Sequence, residues 1–260
     1  MTNMVQYFET HAHYDDRAFK EDREDLLGKL LPKAGVGRVI NIGADMRSSK
    51  ESIGLAERYD YVYATVGVHP HNAKNMKDSD LDILLEMSKN KHVVAIGEIG
   101  LDFHYDHSPR DAQRRRFRDQ LELAKAAKLP VVIHSREAGQ EVYETLKEYA
   151  PYLRGVVIHC FSGDAPLALS YAKLGFYLAF GGAITFLKAL ETVEAAAKLP
   201  MEHILIETDC PYIAPVPIRG KRNDSRSLSH ICRKLAEIKG ISHEEAARVT
   251  WENGERLFSS

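Results

Sequence analysis

Short runs of apolar, β-prone residues alternate along this chain with longer segments whose apolar positions recur at helical spacing. The runs predict strands near Gln6 to His11, Arg38 to Gly43, Tyr61 to Val68, His92 to Glu98, Pro130 to His134, Gly155 to His159, Gly175 to Phe180 and His203 to Thr208. Helical period appears between them, near Arg23 to Leu31, Ser48 to Arg58, Asp80 to Ser88, Arg110 to Lys128, Gln140 to Tyr149, Pro166 to Leu174 and Leu187 to Lys198. Two more helical segments, Ser227 to Lys239 and His243 to Phe258, close the chain. Such alternation implies parallel β-α units, and eight of them predict an α/β fold of the (β/α)8 TIM-barrel type. Ser108-Pro109 reads as a cap with proline in the first helical turn, and Ser242 with Glu245 as a capping box. Gly35, Gly37, Gly155 and Gly175 fall where helix passes to strand and a left-handed residue is often needed.

At 260 residues and 44% hydrophobic content, the chain can bury one full core, so a single domain over 1–260 is expected. A net charge of −2 excludes a global basic field, and any nucleic-acid contact must come from a local patch. Arg114, Arg115 and Arg116 lie inside a helical pattern and read as a solvated face. Three cysteines, Cys160, Cys210 and Cys232, have no framework spacing and suit a reducing compartment. The start, Met1 to Tyr7, shows no signal-peptide pattern. The longest uncharged stretch, Leu174 to Leu187, is shorter than the about 20 residues that span a bilayer. A cytoplasmic protein, with no membrane association and no obligate protein partner, is expected.

The chemistry lies at the ends of the apolar runs. His11 and His13 alternate, so in a strand they share a face and can hold one ion. Glu98, His134, His159 and Asp209 each end a later run, the position where catalytic residues gather in such barrels. Strand parity pairs Ile96 with Glu98, Val132 with His134, Val157 with His159, and Leu205 with Glu207 and Asp209. Four histidines and two carboxylates exceed what one closed structural site needs. They suffice for two divalent ions (zinc, manganese or magnesium) if Glu98 bridges, with His11, His13 and Asp209 on one side and His134 and His159 on the other. Such a pair can share a hydroxide and polarise a phosphoryl or carbonyl oxygen, with Asp209 as the base for the attacking water. Each histidine taken singly is more often a hydrogen-bonded rim residue; the signal is the set. Cys160 and Cys210 follow ligands and are expected to face the helix layer as small buried hydrophobes. Glu9 and Glu207 could hold histidine tautomers or pair with a basic side chain.

Several segments carry a resemblance: Thr10-His11-Ala12-His13, Gly67-Val68-His69-Pro70-His71, Ile96-Gly97-Glu98-Ile99-Gly100-Leu101-Asp102, Pro130-Val131-Val132-Ile133-His134-Ser135-Arg136, His159-Cys160-Phe161-Ser162-Gly163, Glu207-Thr208-Asp209-Cys210-Pro211-Tyr212 and the stretch from Ala214 to Asn223. In order and over nearly the whole chain, they resemble the TatD family of metal-dependent hydrolases, within the amidohydrolase-like barrels. The resemblance puts the metal positions on His11, His13, Glu98, His134, His159 and Asp209, with Glu98 where many relatives in the wider superfamily carry a modified lysine. It implies a 3′-5′ exodeoxyribonuclease that prefers single-stranded DNA ends; the alternative is a D-aminoacyl-tRNA deacylase or another ester or amide hydrolase using the same ions. Glu9 stands where the family usually has Asp, and Asp224-Ser225 where it commonly has Glu-Pro.

Candidate phosphate contacts are His69, His71, Arg136, Arg219, Lys221 and Arg222, with arginine able to fork onto phosphate oxygens. The plainer reading of His69-Pro70-His71 is a turn whose imidazoles bond backbone. Phe103, Phe161 and Tyr212 could stack a splayed base or simply wall the pocket. A binding protein with a vestigial site is the reading from a different class, and the full ligand set argues against it.

Overall fold

The computed structural model describes residues 5–259; residues 1–4 and 260, which the one-domain and leader-free readings include, lie outside them. Eight parallel strands follow one another around a single sheet in chain order. They are β1 (Tyr7–Ala12), β2 (Val36–Asn41), β3 (Val62–Val66), β4 (Val93–Asp102), β5 (Val131–Arg136), β6 (Val156–Ile158), β7 (Tyr177–Phe180) and β8 (Ile204–Ile206). The segment beyond β8 returns to β1: Asp209 N donates to His11 O (3.0 Å) and His13 N to Cys210 O (2.9 Å), making a parallel bridge between Ala12 and Cys210. The result is a nearly closed TIM barrel, as the alternation predicts.

Strands of such a barrel are apolar on both faces because each face meets a different core. One core joins the outward side chains, such as Val39, Val66, Ile99, Ile133, Ile158 and Ile206, to the helices. The other fills the barrel with Phe8, Ile40, Val94, Ala95, Val132, Val157, Ala179 and Leu205. Leu257 and Phe258, from the last helix (His243–Phe258), join this inner cluster. Close packing there demands glycine: a Cβ on Gly254 would lie 2.5 Å from the Phe8 ring.

Several expectations change in detail. Ile96 belongs to the outer core, not to the face of Glu98. The β4–β5 register shifts between Ile96 and Ile99, and this irregularity turns Glu98 inward. β6 and β8 are short because Cys160 and Asp209 adopt left-handed φ of 45° and 54°, which takes the chain out of strand conformation. Ser108 does not cap the helix Arg110–Ala127; its hydroxyl accepts from Lys74 N (3.1 Å) and donates to His71 O (2.8 Å). Ser242 does cap, accepting from Glu245 N at 3.1 Å. Gly35 and Gly175 have positive φ, whereas Gly155 serves close approach, with Leu257 2.5 Å from where its Cβ would be. Arg114 and Arg115 are ion-paired on the surface, but Arg116 is buried, donating to Met76 O (2.7 Å) and Asp78 (2.7 Å). No helix among the described residues is long and apolar enough to cross a membrane.

Candidate metal centre

The carboxyl ends of β1, β4, β5, β6 and β8 bring six widely separated side chains to one mouth. His11 Nε2 lies 3.2 Å from His13 Nε2, 3.5 Å from Glu98 Oε2 and 3.7 Å from Asp209 Oδ1; His13 Nε2 is 3.5 Å from the same Asp209 oxygen. Glu98 turns its other oxygen the opposite way: Oε1 is 2.9 Å from His134 Nδ1, 3.4 Å from His159 Nε2 and 3.6 Å from His69 Nε2. The rings of His11 and His159 stack with centroids 3.7 Å apart.

These distances test the fit to cations. Donors about 2.1 Å from a tetrahedral ion lie about 3.4 Å from one another, and the set around His11 spans 3.2–3.7 Å. Among the described residues, three groups have donor atoms that all lie within 4.8 Å of one another: His11, His13 and Asp209; His11, Glu98 and His159; and His69, Glu98 and His134. The donor set of imidazole nitrogens and carboxylate oxygens therefore fits divalent metal.

Burial would raise the Glu98 carboxyl, yet the surrounding imidazoles, His159 and His69 first and then His11 and His134, hold it well below the usual carboxylate range. Asp209 behaves alike: burial opposes ionisation, and the bond to His13 with the charges of His159 and His11 pulls its pKa down. The histidines divide. Burial lowers His13, but Asp209 overrides it and lifts it to about 9; for His159 the charges of Glu207 and Glu98 overcome burial and lift it to about 10. Burial keeps His69 well below its ordinary value.

A second ring of residues orients the first. Glu207, almost fully buried, takes His159 Nδ1 at 3.0 Å, leaving Nε2 for the centre. Glu9 does something else. Its carboxylate accepts from Thr208 N (2.8 Å) and Thr208 Oγ1 (2.6 Å), fastening the β8 exit to β1, and no imidazole. Asp102 was not singled out for a role in the sequence. It is fully buried, accepting through Oδ2 from His71 Nε2 (3.0 Å) and His134 Nε2 (2.9 Å), and through Oδ1 from His104 N (3.2 Å) and Tyr105 N (2.8 Å). Burial opposes its ionisation, but the bond from His134 and the others hold its carboxyl well below the usual range. Its signal was available: Asp102 keeps the alternation of Glu98 and Gly100 at the end of β4.

His69 shares the centre on different terms. Its Nδ1 accepts from His71 N (3.1 Å), so its proton sits on Nε2, which faces Glu98. A cavity of about 1170 Å³ opens over the centre. Its wall includes His69, His71, Tyr105, Arg136 and Tyr212, together with Arg17, Lys20 and Arg47. Arg219 is not on that wall; its guanidinium lies over Phe186 at 4.3 Å. Arg222 is committed to Asp22 and to Ala18 O. Phe161 is buried, and Phe103 is covered by Arg110 and Arg114. Cys210 joins the outer core as expected, but Cys160 does not: its left-handed backbone leaves it half-buried beside Glu207, to which its N–H donates at 2.6 Å.

Comparison with known proteins covers nearly the whole chain. The family described as TatD related DNase matches residues 8–259. The chain belongs to this family. It is 40% identical over 251 residues to an uncharacterized metal-dependent hydrolase of Bacillus subtilis, YabD, covering 96% of this chain and 98% of that one. It is 30% identical over 256 residues to the 3′-5′ ssDNA/RNA exonuclease TatD of Salmonella typhimurium, covering 96% and 98%. Among solved structures it is similar to YjjV, a TatD homologue of Escherichia coli K12, with a TM-score of 0.92, 32% identity and 99% of each chain covered. This TatD-family protein is a metal-dependent hydrolase.

Proposed function

We propose that this TatD-family protein is a two-metal phosphodiesterase that removes nucleotides from the 3′ end of single-stranded DNA. The observation that carries the reading is the divided Glu98 carboxylate, whose two oxygens face different histidines and so serve two donor sets. His11, His13 and Asp209 would hold one ion, His134 and His159 the other, and zinc, manganese and magnesium all suit mixed nitrogen and oxygen donors. When bound, the ions supply Lewis acidity that polarises a phosphoryl oxygen and acidifies water.

The chain's own groups do the rest. Asp209, held ionised at the mouth, takes the proton of the attacking water at a carboxylate oxygen. His69 presents a neutral Nε2–H to the oxygens on which charge grows. Arg136 supplies positive charge on the cavity wall, and the half-exposed Tyr212 offers a ring on which a base of an unpaired strand stacks. Arg219 has no part in this reading. Residues 1–260 act as one hydrolase domain, and the three free thiols suit a cytoplasmic setting.

The test is turnover by the metal-reconstituted protein on 3′-labelled single-stranded DNA, duplex DNA, RNA and D-aminoacyl-tRNA. Single-stranded DNA should be degraded fastest, and Asp209→Ala should lower the rate by roughly 10²–10⁴. Faster release of a D-amino acid than of nucleotides would replace the phosphodiesterase reading.

A further inference from the structure

Beside the metal centre, the loop after β4 builds a column of rings that the hydrolytic step does not use. The Tyr105 ring is parallel to His107 (centroids 5.4 Å, 11° between planes) and meets His71 edge-on at 5.6 Å and His104 at 4.7 Å. Over the same Tyr105 ring lies the guanidinium of Arg136, 4.7 Å from its centroid. Among the described residues, Arg136 makes no side-chain ion pair, although it lines the cavity. An arginine left unpaired on a flat ring keeps its N–H edge for a ligand and loses little freedom on binding one. The base of the column is fixed by the centre itself, because Asp102 holds both His134 and the backbone N–H of Tyr105.

Placement says which anion the guanidinium meets. Arg136 is paired in register with Asp102, and His134 with Gly100. It therefore stands two residues, about 6.6 Å, further out along β5 than the histidine of the centre. That is beyond the group under attack, toward the next unit of a chain-like substrate.

We propose that Tyr105 is a positioning residue that presents Arg136 to a second phosphate, one unit from the scissile one, making the preferred substrate a strand with at least two phosphodiesters. The inference rests on the nuclease reading above and adds to it a requirement for the neighbouring phosphate.

Two measurements test it together. The first is kcat and KM of the metal-loaded enzyme on a short oligothymidylate and on bis(p-nitrophenyl) phosphate, a single diester. The second is fluorescence anisotropy of labelled oligothymidylate in EDTA across a salt series. Tyr105→Ala should raise KM for the oligonucleotide about threefold to fivefold, with the loss falling on KM rather than kcat. Arg136→Gln should weaken binding about tenfold and lower the salt slope by about 0.7, one single-strand phosphate contact. The double variant should be no worse than Arg136→Gln, and Tyr105→Phe, which keeps the ring face, should restore binding to within about twofold of wild type. Loss of oligonucleotide turnover should exceed loss on the single diester in both single variants. Equal losses on the two substrates, or a wild-type KM and salt slope for Tyr105→Ala, overturn the positioning role while wild-type degradation of the strand leaves the nuclease reading standing. If the wild type neither binds nor degrades the oligonucleotide, both fall.

Discussion

Replacing Asp102 by Asn should disable His134 as a metal ligand, although Asp102 itself belongs to none of the three donor groups. The carboxylate accepts from His134 Nε2 at 2.9 Å, which places that proton on Nε2 and leaves the Nδ1 lone pair facing Glu98 Oε1, also 2.9 Å away. An amide can put its oxygen where Oδ1 now receives His104 N and Tyr105 N. Its NH2 then faces His134, which must accept at Nε2 and carry its proton on Nδ1, directed at Glu98 and no longer able to bind a cation. The opposite flip sets the NH2 against two backbone N–H groups instead. Either way the pair of imidazoles, His134 and His159, that would hold the second ion beside Glu98 loses a member. Loss of a partner that orients a ligand costs about 10–100-fold in metal affinity, roughly 1.4–2.7 kcal/mol. The assay is competitive metal titration against a chromophoric chelator, with stoichiometry by elemental analysis, and thermal melting in EDTA to establish that the variant folds. His71→Phe, which removes only the other imidazole on Asp102, separates the two arms. A folded Asp102→Asn protein with metal affinity and hydrolysis within about twofold of wild type would refute the tautomer argument, because that is the scatter of ordinary surface substitutions.

Three further outcomes follow from the same geometry. Gly100→Ala would put a Cβ 2.0 Å from His134 O at a φ of 143°, so urea unfolding should show a loss of more than about 2 kcal/mol together with weakened metal binding; wild-type stability would mean that β4 and β5 can part there. In metal-free protein, His13 and His159 are lifted from 6.5 to about 9 and about 10. Because these folded pKa values lie above the unfolded one, their stabilisation is complete below pH 6.5 and is lost as pH rises through 9–10. Melting in EDTA should therefore fall across that window, and less so in Glu207→Gln, while metal affinity rises with pH as these protons become easier to displace; a flat EDTA profile would contradict the assignment. Lys239 donates to the carbonyls of Ala196 (3.3 Å), Ala197 (2.9 Å) and Leu199 (2.7 Å), at the end of the helix Leu190–Lys198. Lys239→Met should cost about 1.5–3 kcal/mol in urea melts without altering turnover.

The barrel was legible because its strands are covered on both faces: each appears as an apolar run bounded by polar or glycine residues, and polar donors at the run ends stand out. The strand boundaries still moved, and the reason lies in the site. Parity assigns Ile96 and Glu98 to one face, whereas a register shift separates them, and Asp209 leaves strand geometry altogether with its φ of 54°. Counting by twos thus picked six side chains that the fold gathers at one mouth although it described their backbone wrongly, since an acidic or imidazole side chain at the strand terminus reaches the mouth through either geometry. What counting could not supply was the commitment of each second atom. Asp102 is one more polar residue at a strand end until its two imidazoles and two amides are seen, and Tyr105 is one loop aromatic among several until Arg136 is found on its face. Arg219 shows the converse. Its position after a barrel strand gave it the same standing as Arg136, yet its guanidinium is occupied by Phe186, away from the cavity. Donor identity at a mouth follows from pattern along the chain; which nitrogen carries the proton, and which cation stays free, is decided by contacts between loops that share no periodicity.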